Sequence, residues 1–243
     1  MELPLKSAFL LQLQINTELA ALRYFPRTIG MLVQLGGTHL VPGEVRCSAH
    51  GLHGWLDVGL YPTGSDDLCE SIATDIRGAQ FSCEADPQVM MKKRTKLLSN
   101  VNNCLAVMGD DSKEASKILN NALIAEAEAC YIAAGLPYHP RGSTYQGLRV
   151  DRPDTPRGPE LVGEPFGGER GMRGGSSTWQ SLARGTGDIE CDFLNGEIAL
   201  LGRVHGVATP VNSLMQAVAR KAATEGLGVG GIPAAELLSA AKL

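Results

Sequence analysis

Within the stretch "RTKLLSNVNNCLAVMG", Lys96, Asn100 and Asn103 fall within about 60° of one another at the ~100° per residue of a helix. A lysine beside two amides offers one ammonium donor and two neutral donor-acceptors, a set suited to gripping a small, oxygen-rich anion. The apolar stripe of the same helix is Leu97, Leu98, Val101, Leu105 and Met108. A solvated helix face is the plain alternative for such a polar set, and the pattern alone leaves both open.

A second set lies in "DIECDFLNGEIALLGRVHGVATPVN". On its wheel Phe193, Leu194, Ile198, Leu201 and Val204 form the expected buried stripe, with Glu190 and Glu197 projecting from it. A carboxylate there needs a partner. Glu190, in the first turn, suits either a capping role or the edge of a cleft. Upstream, "GGSSTWQ" puts the hydroxyls of Ser176 and Ser177 after a glycine pair and before a helical turn, a plausible carboxylate-binding corner. "GLGVGG" (226–231) matches G-x-G-x-x-G literally, yet it follows a helical segment instead of a strand. It reads as a flexible linker before a tail helix "PAAELLSAA".

These residues need elements to hold them. Residues 1–87 read as an α/β segment. "NTELAALRYFP" is helix-like, "TIGMLVQL", "THLVPGEVRCSAHG" and "GWLDVGLYP" form a small meander of antiparallel strands, and "SDDLCESIATDIRG" is a helix capped by Ser65. "AQFSCEA" is the expected return strand. Residues 88–243 read as an all-α bundle, with helices over 88–108, 112–134 and 188–205 stopped by Gly109, Gly135 and Gly206. Residues 137–175, dense in Pro, Gly and Arg, read as a long loop or flap.

The chain has 243 residues, 44% of them hydrophobic and 20% charged, enough for one large domain or two small ones. A net charge of −4 argues against nucleic acid or an anionic membrane as the partner, and the one dense basic run, Lys92-Lys93-Arg94, is short. Six scattered cysteines form no C-x-x-C pair and have no histidine at ligand spacing, so reduced, buried thiols are expected and no metal. "AFLLQLQI" is too short and too broken by Gln for a signal or spanning segment, which makes a cytoplasmic location the expectation.

Together these motifs resemble the ketopantoate reductases (2-dehydropantoate 2-reductases). "ECDFLNG" and "HGVATPVN" are similar to that family's Glu-x-Asp-aromatic-x-Asn-Gly and His-Gly-x-x-x-Pro-x-Asn. "KLLSN" resembles its lysine helix, and "GGTHLVPGEVR" the hairpin that ends its nucleotide-binding domain. The resemblance implies a Rossmann-type segment followed by a 6-phosphogluconate-dehydrogenase-like helical domain. It also implies NADPH as hydride donor and a small 2-oxo acid as substrate, reduced to pantoate in pantothenate biosynthesis.

By the same resemblance Lys96 would be the proton donor, a role closed to an always-charged arginine. Asn100 would hold substrate oxygens, Ser177 or Ser176 the substrate carboxylate, and Glu190 the cofactor's ribose side. Three departures stand out. The family's second asparagine falls on Cys104, which leaves Asn103 as a shifted replacement. Gln12-Leu13-Gln14 lacks the asparagine of the family's Gln-Asn-Gly. The Gly-rich phosphate loop is not found. The alternative is a non-catalytic relative that binds a small 2-oxo acid or a partner protein, and a homodimer is one assembly allowed.

Overall fold

The computed structural model describes residues 8–10, 17–47, 54–109, 112–139 and 175–243. Gln12–Gln14 and most of the expected flap, residues 140–174, lie outside the described residues. The chain divides into two compact units, the first drawn from Met1–Gly37, Arg46–Lys96 and Tyr138–Arg173, the second from Thr38–Val45, Leu97–Pro137 and Gly174–Leu243.

In the first unit, β1 (Ala8–Leu10) pairs in parallel with β2 (Thr28–Met31), and α1 (Thr17–Ala21) lies between them in sequence. A parallel pair needs such a crossover, and β1 lies before the expected antiparallel meander of 28–62. β3 (Gln34–Leu35), β4 (Gly37–Thr38) and β5 (Arg46–Cys47) follow. Beyond them, β6 (Gly54–Trp55) pairs antiparallel with β3, and β7 (Val58–Leu60) antiparallel with β2. The expected single strand 28–35 is broken at Leu32-Val33, where Leu32 N–H donates to Asp57 at 2.8 Å. "AQFSCEA" makes only isolated parallel bridges, Trp55 to Ser82 and Val58 to Ala85. α2 (Asp67–Gly78) covers this sheet, and Ile29, Met31, Val58, Cys69, Ala73 and Cys83 close the core. Its cap is Asp66 rather than Ser65: the carboxylate accepts from Cys69 N–H at 3.1 Å, as a first-turn N–H requires.

α3 (Val89–Asn100) carries the basic run, and its charges are turned to internal use. Lys92 pairs with Asp57 at 3.1 Å and with Asp86. Burial works against its charge, but the two carboxylates outweigh that and raise its pKa. Lys93 is buried against the equally buried Glu18 of α1, and burial holds its pKa down in spite of that carboxylate. Gly30 of β2 makes room for the pair, since a Cβ there would stand 2.9 Å from Glu18 Oε1 and 3.1 Å from Met90 Sδ. No nucleic-acid stripe survives in this run.

The expected helix 88–108 is two structures. α3 ends at Asn100, and Val101–Val107 is a 3-10 helix. With three residues per turn, positions i and i+3 eclipse. The buried positions are accordingly Val101, Cys104 and Val107, whereas Leu105 and Met108, expected on the stripe, are only half-buried. α4 (Lys113–Ala133) matches its expected span and is capped by Ser112, which accepts from Ala115 N–H at 3.2 Å. α5 (Ser177–Arg184), a 3-10 turn (Glu190–Asp192), α6 (Asn195–His205), α7 (Pro210–Thr224) and α8 (Ala234–Ala241) complete the second unit.

The expected helix 188–205 is likewise shortened. Its buried face is Asn195, Ile198, Ala199 and Gly202, while Phe193 and Val204 of the expected stripe are exposed. The later start rotates the wheel. Nor is "GLGVGG" a flexible linker: Gly230 N–H donates to Ala106 at 3.0 Å, Ile232 N–H to Val107 at 2.9 Å, and Gly109 N–H to Ile232 at 2.7 Å. Glycine is required at the crossing, since a Cβ on Gly109 would meet the Gly230 carbonyl at 2.3 Å.

The Glu18–Lys93 pair makes the first unit sensitive to single charge deletion. Lys93→Met leaves a buried carboxylate without its counterion and is expected to cost about 3–5 kcal/mol in urea denaturation. Glu18→Leu added to Lys93→Met should recover most of that loss.

Candidate functional site

Lys96 sits half-buried on α3, and its ammonium donates to the Val33 carbonyl, which the break between β2 and β3 leaves off the strand ladder. Asn100 follows one turn later, on the same side of the helix. Its amide is half-buried and has no partner among the described residues. Asn103 lies on the 3-10 segment, also half-buried. Cys104 does not share that side: it is wholly buried, its thiol donates to Val101 at 3.0 Å, and burial pushes its pKa up to about 12.

In the second unit α5 packs both on the 3-10 segment that carries Asn103 and on the turn that opens with Glu190. The elements bearing Asn103, Ser177 and Glu190 are therefore neighbours. Ser176 is the α5 cap, its hydroxyl accepting from Trp179 N–H at 3.2 Å, while Ser177 is exposed in the first turn. Gly175 is needed here because a Cβ would stand 2.4 Å from the Trp179 ring. The Glu190 carboxylate is half-buried and has no partner among the described residues.

Of the polar side chains in the "ECDFLNG" and "HGVATPVN" motifs, Asn195, Thr209 and Asn212 are buried, whereas Asp192 and His205 are exposed. Asp192 accepts from Gln216 at 2.6 Å and pairs with Arg220; burial opposes its charge, but these two donors hold its pKa below the ordinary value. Asn195 donates to the Val101 carbonyl at 2.8 Å and to Asn212 Oδ1 at 3.1 Å. Asn212 donates in turn to the Leu123 carbonyl at 3.1 Å and to Glu126 at 2.8 Å. Glu126 also accepts the Val211 and Asn212 backbone N–H groups, each at 2.8 Å. These four residues were not singled out from sequence as a set, because Glu126 is 86 residues from Asn212 and has no local motif around it.

The family model for the ketopantoate reductase PanE/ApbA C terminal matches residues 89–223, more than half of the chain. The chain belongs to the ketopantoate reductase family. It is 25% identical over 225 residues to a 2-dehydropantoate 2-reductase of Pyrococcus horikoshii, covering 90% of this chain and 67% of that protein. Its fold is similar to the 2-dehydropantoate 2-reductase of Methylococcus capsulatus, with TM-score 0.68, 19% identity, and 92% of this chain and 72% of that one covered. It is also similar to D-mandelate dehydrogenase solved with NADH, with TM-score 0.67, 14% identity, and coverage of 89% and 70%.

A nicotinamide dinucleotide requires free N–H groups at a helix N-terminus entered from a strand through glycines. In the first unit α1 has five residues. α2 follows β7, but Asp66 closes its N-terminus, Arg27 pairs with Asp66, and Asp67 and Glu70 add negative charge in the first turn. Among the described residues of the first unit, neither of these two helix N-termini fits a pyrophosphate.

Elsewhere in the second unit, Glu197 is buried in α6, and burial raises its pKa from 4.5 to about 7. The folded chain therefore keeps a proton that the unfolded chain loses above 4.5. Stability falls as pH rises from about 4.5 to about 7 and stays at the lower level beyond. Glu197→Gln should raise stability by roughly 3 kcal/mol at pH 8 and leave it nearly unchanged at pH 4, as measured by urea denaturation at both values.

Proposed function

We propose that this chain carries the substrate-binding and proton-donating part of a 2-dehydropantoate 2-reductase, which reduces ketopantoate to pantoate with NADPH. One observation carries the reading: Lys96 and the half-buried amide of Asn100 stand one turn apart on α3, inside the region that matches the family model. The name of the Pyrococcus horikoshii relative supports the substrate. Cytoplasmic location and the choice of NADPH over NADH belong to this reading as well.

A bound nicotinamide dinucleotide would supply the hydride. What the chain's own residues do is hold the acid and move one proton. Asn100, with Asn103 beside it, hydrogen-bonds the oxygens of the 2-oxo acid, and the Ser177 hydroxyl with the first-turn amides of α5 takes its carboxylate. Glu190 would accept a hydrogen bond from a ribose hydroxyl of a bound dinucleotide. As the C2 oxygen gains negative charge, the Lys96 ammonium stabilises it and gives up a proton to it, forming the alcohol and leaving a neutral amine.

A second reading, a non-catalytic binder of a small 2-oxo acid, is favoured by the closed N-terminus of α2. Two titrations separate the readings from a failure of both. Calorimetry with 2-dehydropantoate should show binding, and its absence would overturn both. Titration with NADPH should give dissociation weaker than the low micromolar range, and tighter binding would show that the α2 argument misses the cofactor's site.

In turnover at high NADPH, Lys96→Ala should lower kcat by about 10²–10⁴-fold with the fold intact by circular dichroism. Asn100→Ala should act more on KM, since its amide touches substrate in ground and transition states alike. Undiminished kcat in Lys96→Ala would remove the lysine from the mechanism.

A further inference from the structure

The chain of hydrogen bonds from Glu126 to Val101 has a direction. The Glu126 carboxylate accepts from three N–H groups, two of the backbone and the side-chain amide of Asn212. That amide N also donates to the Leu123 carbonyl, so the Asn212 oxygen must face the other way, toward Asn195. Asn195 meets it with its own N–H₂ group, and the same nitrogen reaches the Val101 carbonyl. All four side-chain and main-chain partners are buried or half-buried. An acceptor at one end thus orients two amides in series and delivers a donor at the other.

The delivery point is the first residue of the 3-10 segment, directly after Asn100 and two before Asn103. A 3-10 turn has poorer hydrogen-bond geometry than an α-turn, and a seven-residue run exceeds its usual length. An external donor on the first carbonyl competes with the i+4 N–H that would continue the α-helix there. The Cys104 thiol donates to the same carbonyl at 3.0 Å, which gives Val101 two side-chain donors.

We propose that Glu126, Asn212 and Asn195 are positioning residues for the substrate amides. They fix the place where α3 tightens into the 3-10 segment, and so fix Asn100 and Asn103 relative to each other. The role given to those two amides rests on the reductase reading above. The geometry of the relay does not.

The test is Glu126→Gln, which keeps shape but turns one acceptor into a donor. The two Glu126 oxygens serve three N–H groups, and an amide in their place sets its NH₂ against the Val211 N–H or against the two Asn212 N–H groups, which loosens the N-terminus of α7 that carries Asn212. In protein labelled with [15N]asparagine, the side-chain resonances of Asn100 and Asn103 should move. Calorimetric affinity for 2-dehydropantoate should fall at least ~10-fold, the scale on which sub-ångström misplacement acts. In an Asn100→Ala background the same substitution should cost less affinity than in the native chain, because one of the two residues it acts through is gone.

Asn195→Ser cuts the other end of the relay without touching the N-terminus of α7, and it should reproduce both effects if Glu126→Gln does not fold. A lowered melting temperature with unmoved Asn100 and Asn103 resonances and full affinity would overturn the proposal. Equal affinity losses with and without Asn100 would overturn it too. Resonances that move in a protein that binds no 2-dehydropantoate would uphold the relay and sink the substrate reading.

Discussion

The carbonyl of Val101 is the point on which the second unit's arrangement turns. At this residue an α-helix becomes a 3-10 helix, and the change of pitch decides which of the next six side chains are buried. It sends Cys104 and Val107 into the core, and it leaves Asn103 half-buried. The Asn195 amide holds that carbonyl, and Asn195 can do so because Asn212 and Glu126 fix which way its amide faces. α4, α6, α7 and the 3-10 segment are thereby joined through one string of polar atoms in an otherwise apolar interior. A string of this kind is stable only when each link has a partner of the right polarity, since a buried amide facing the wrong way meets a like group.

Charge follows a related logic in the first unit. Lys92 and Lys93 are consecutive, point to different neighbours, and each finds carboxylates outside α3: Asp57 and the nearby Asp86 in one case, the buried Glu18 in the other. These contacts tie α3 to the sheet and to α1. They also explain why the densest basic run of the chain contributes no cationic surface. The strand break at Leu32-Val33 belongs to the same assembly, because it frees the Val33 carbonyl to receive Lys96.

The two acidic residues of the family-like motif have different standing. Asp192 is committed to Gln216 and Arg220, which anchor the turn before α6 to α7. Glu190, at the start of that same turn, keeps a half-buried carboxylate without a protein partner among the described residues. The motif is thus mainly scaffold, with Glu190 as its member left over for chemistry.

From the sequence alone the family was legible in "KLLSN", "ECDFLNG" and "HGVATPVN", as were the span of α4 and the stops at Gly135 and Gly206. Those signals are local: a cap, a positive-φ glycine or a fixed spacing acts within a few residues. The parallel pairing of β1 with β2, the switch to 3-10 geometry at Val101 and the late start of α6 were not legible. Each is decided by a partner far along the chain, such as Asn195 for Val101 or Gln216 for Asp192. A helical wheel assumes one pitch and one starting residue. Tertiary hydrogen bonds reset both, and so only the folded chain decided that Leu105 and Met108 would leave the core and that Cys104 would enter it.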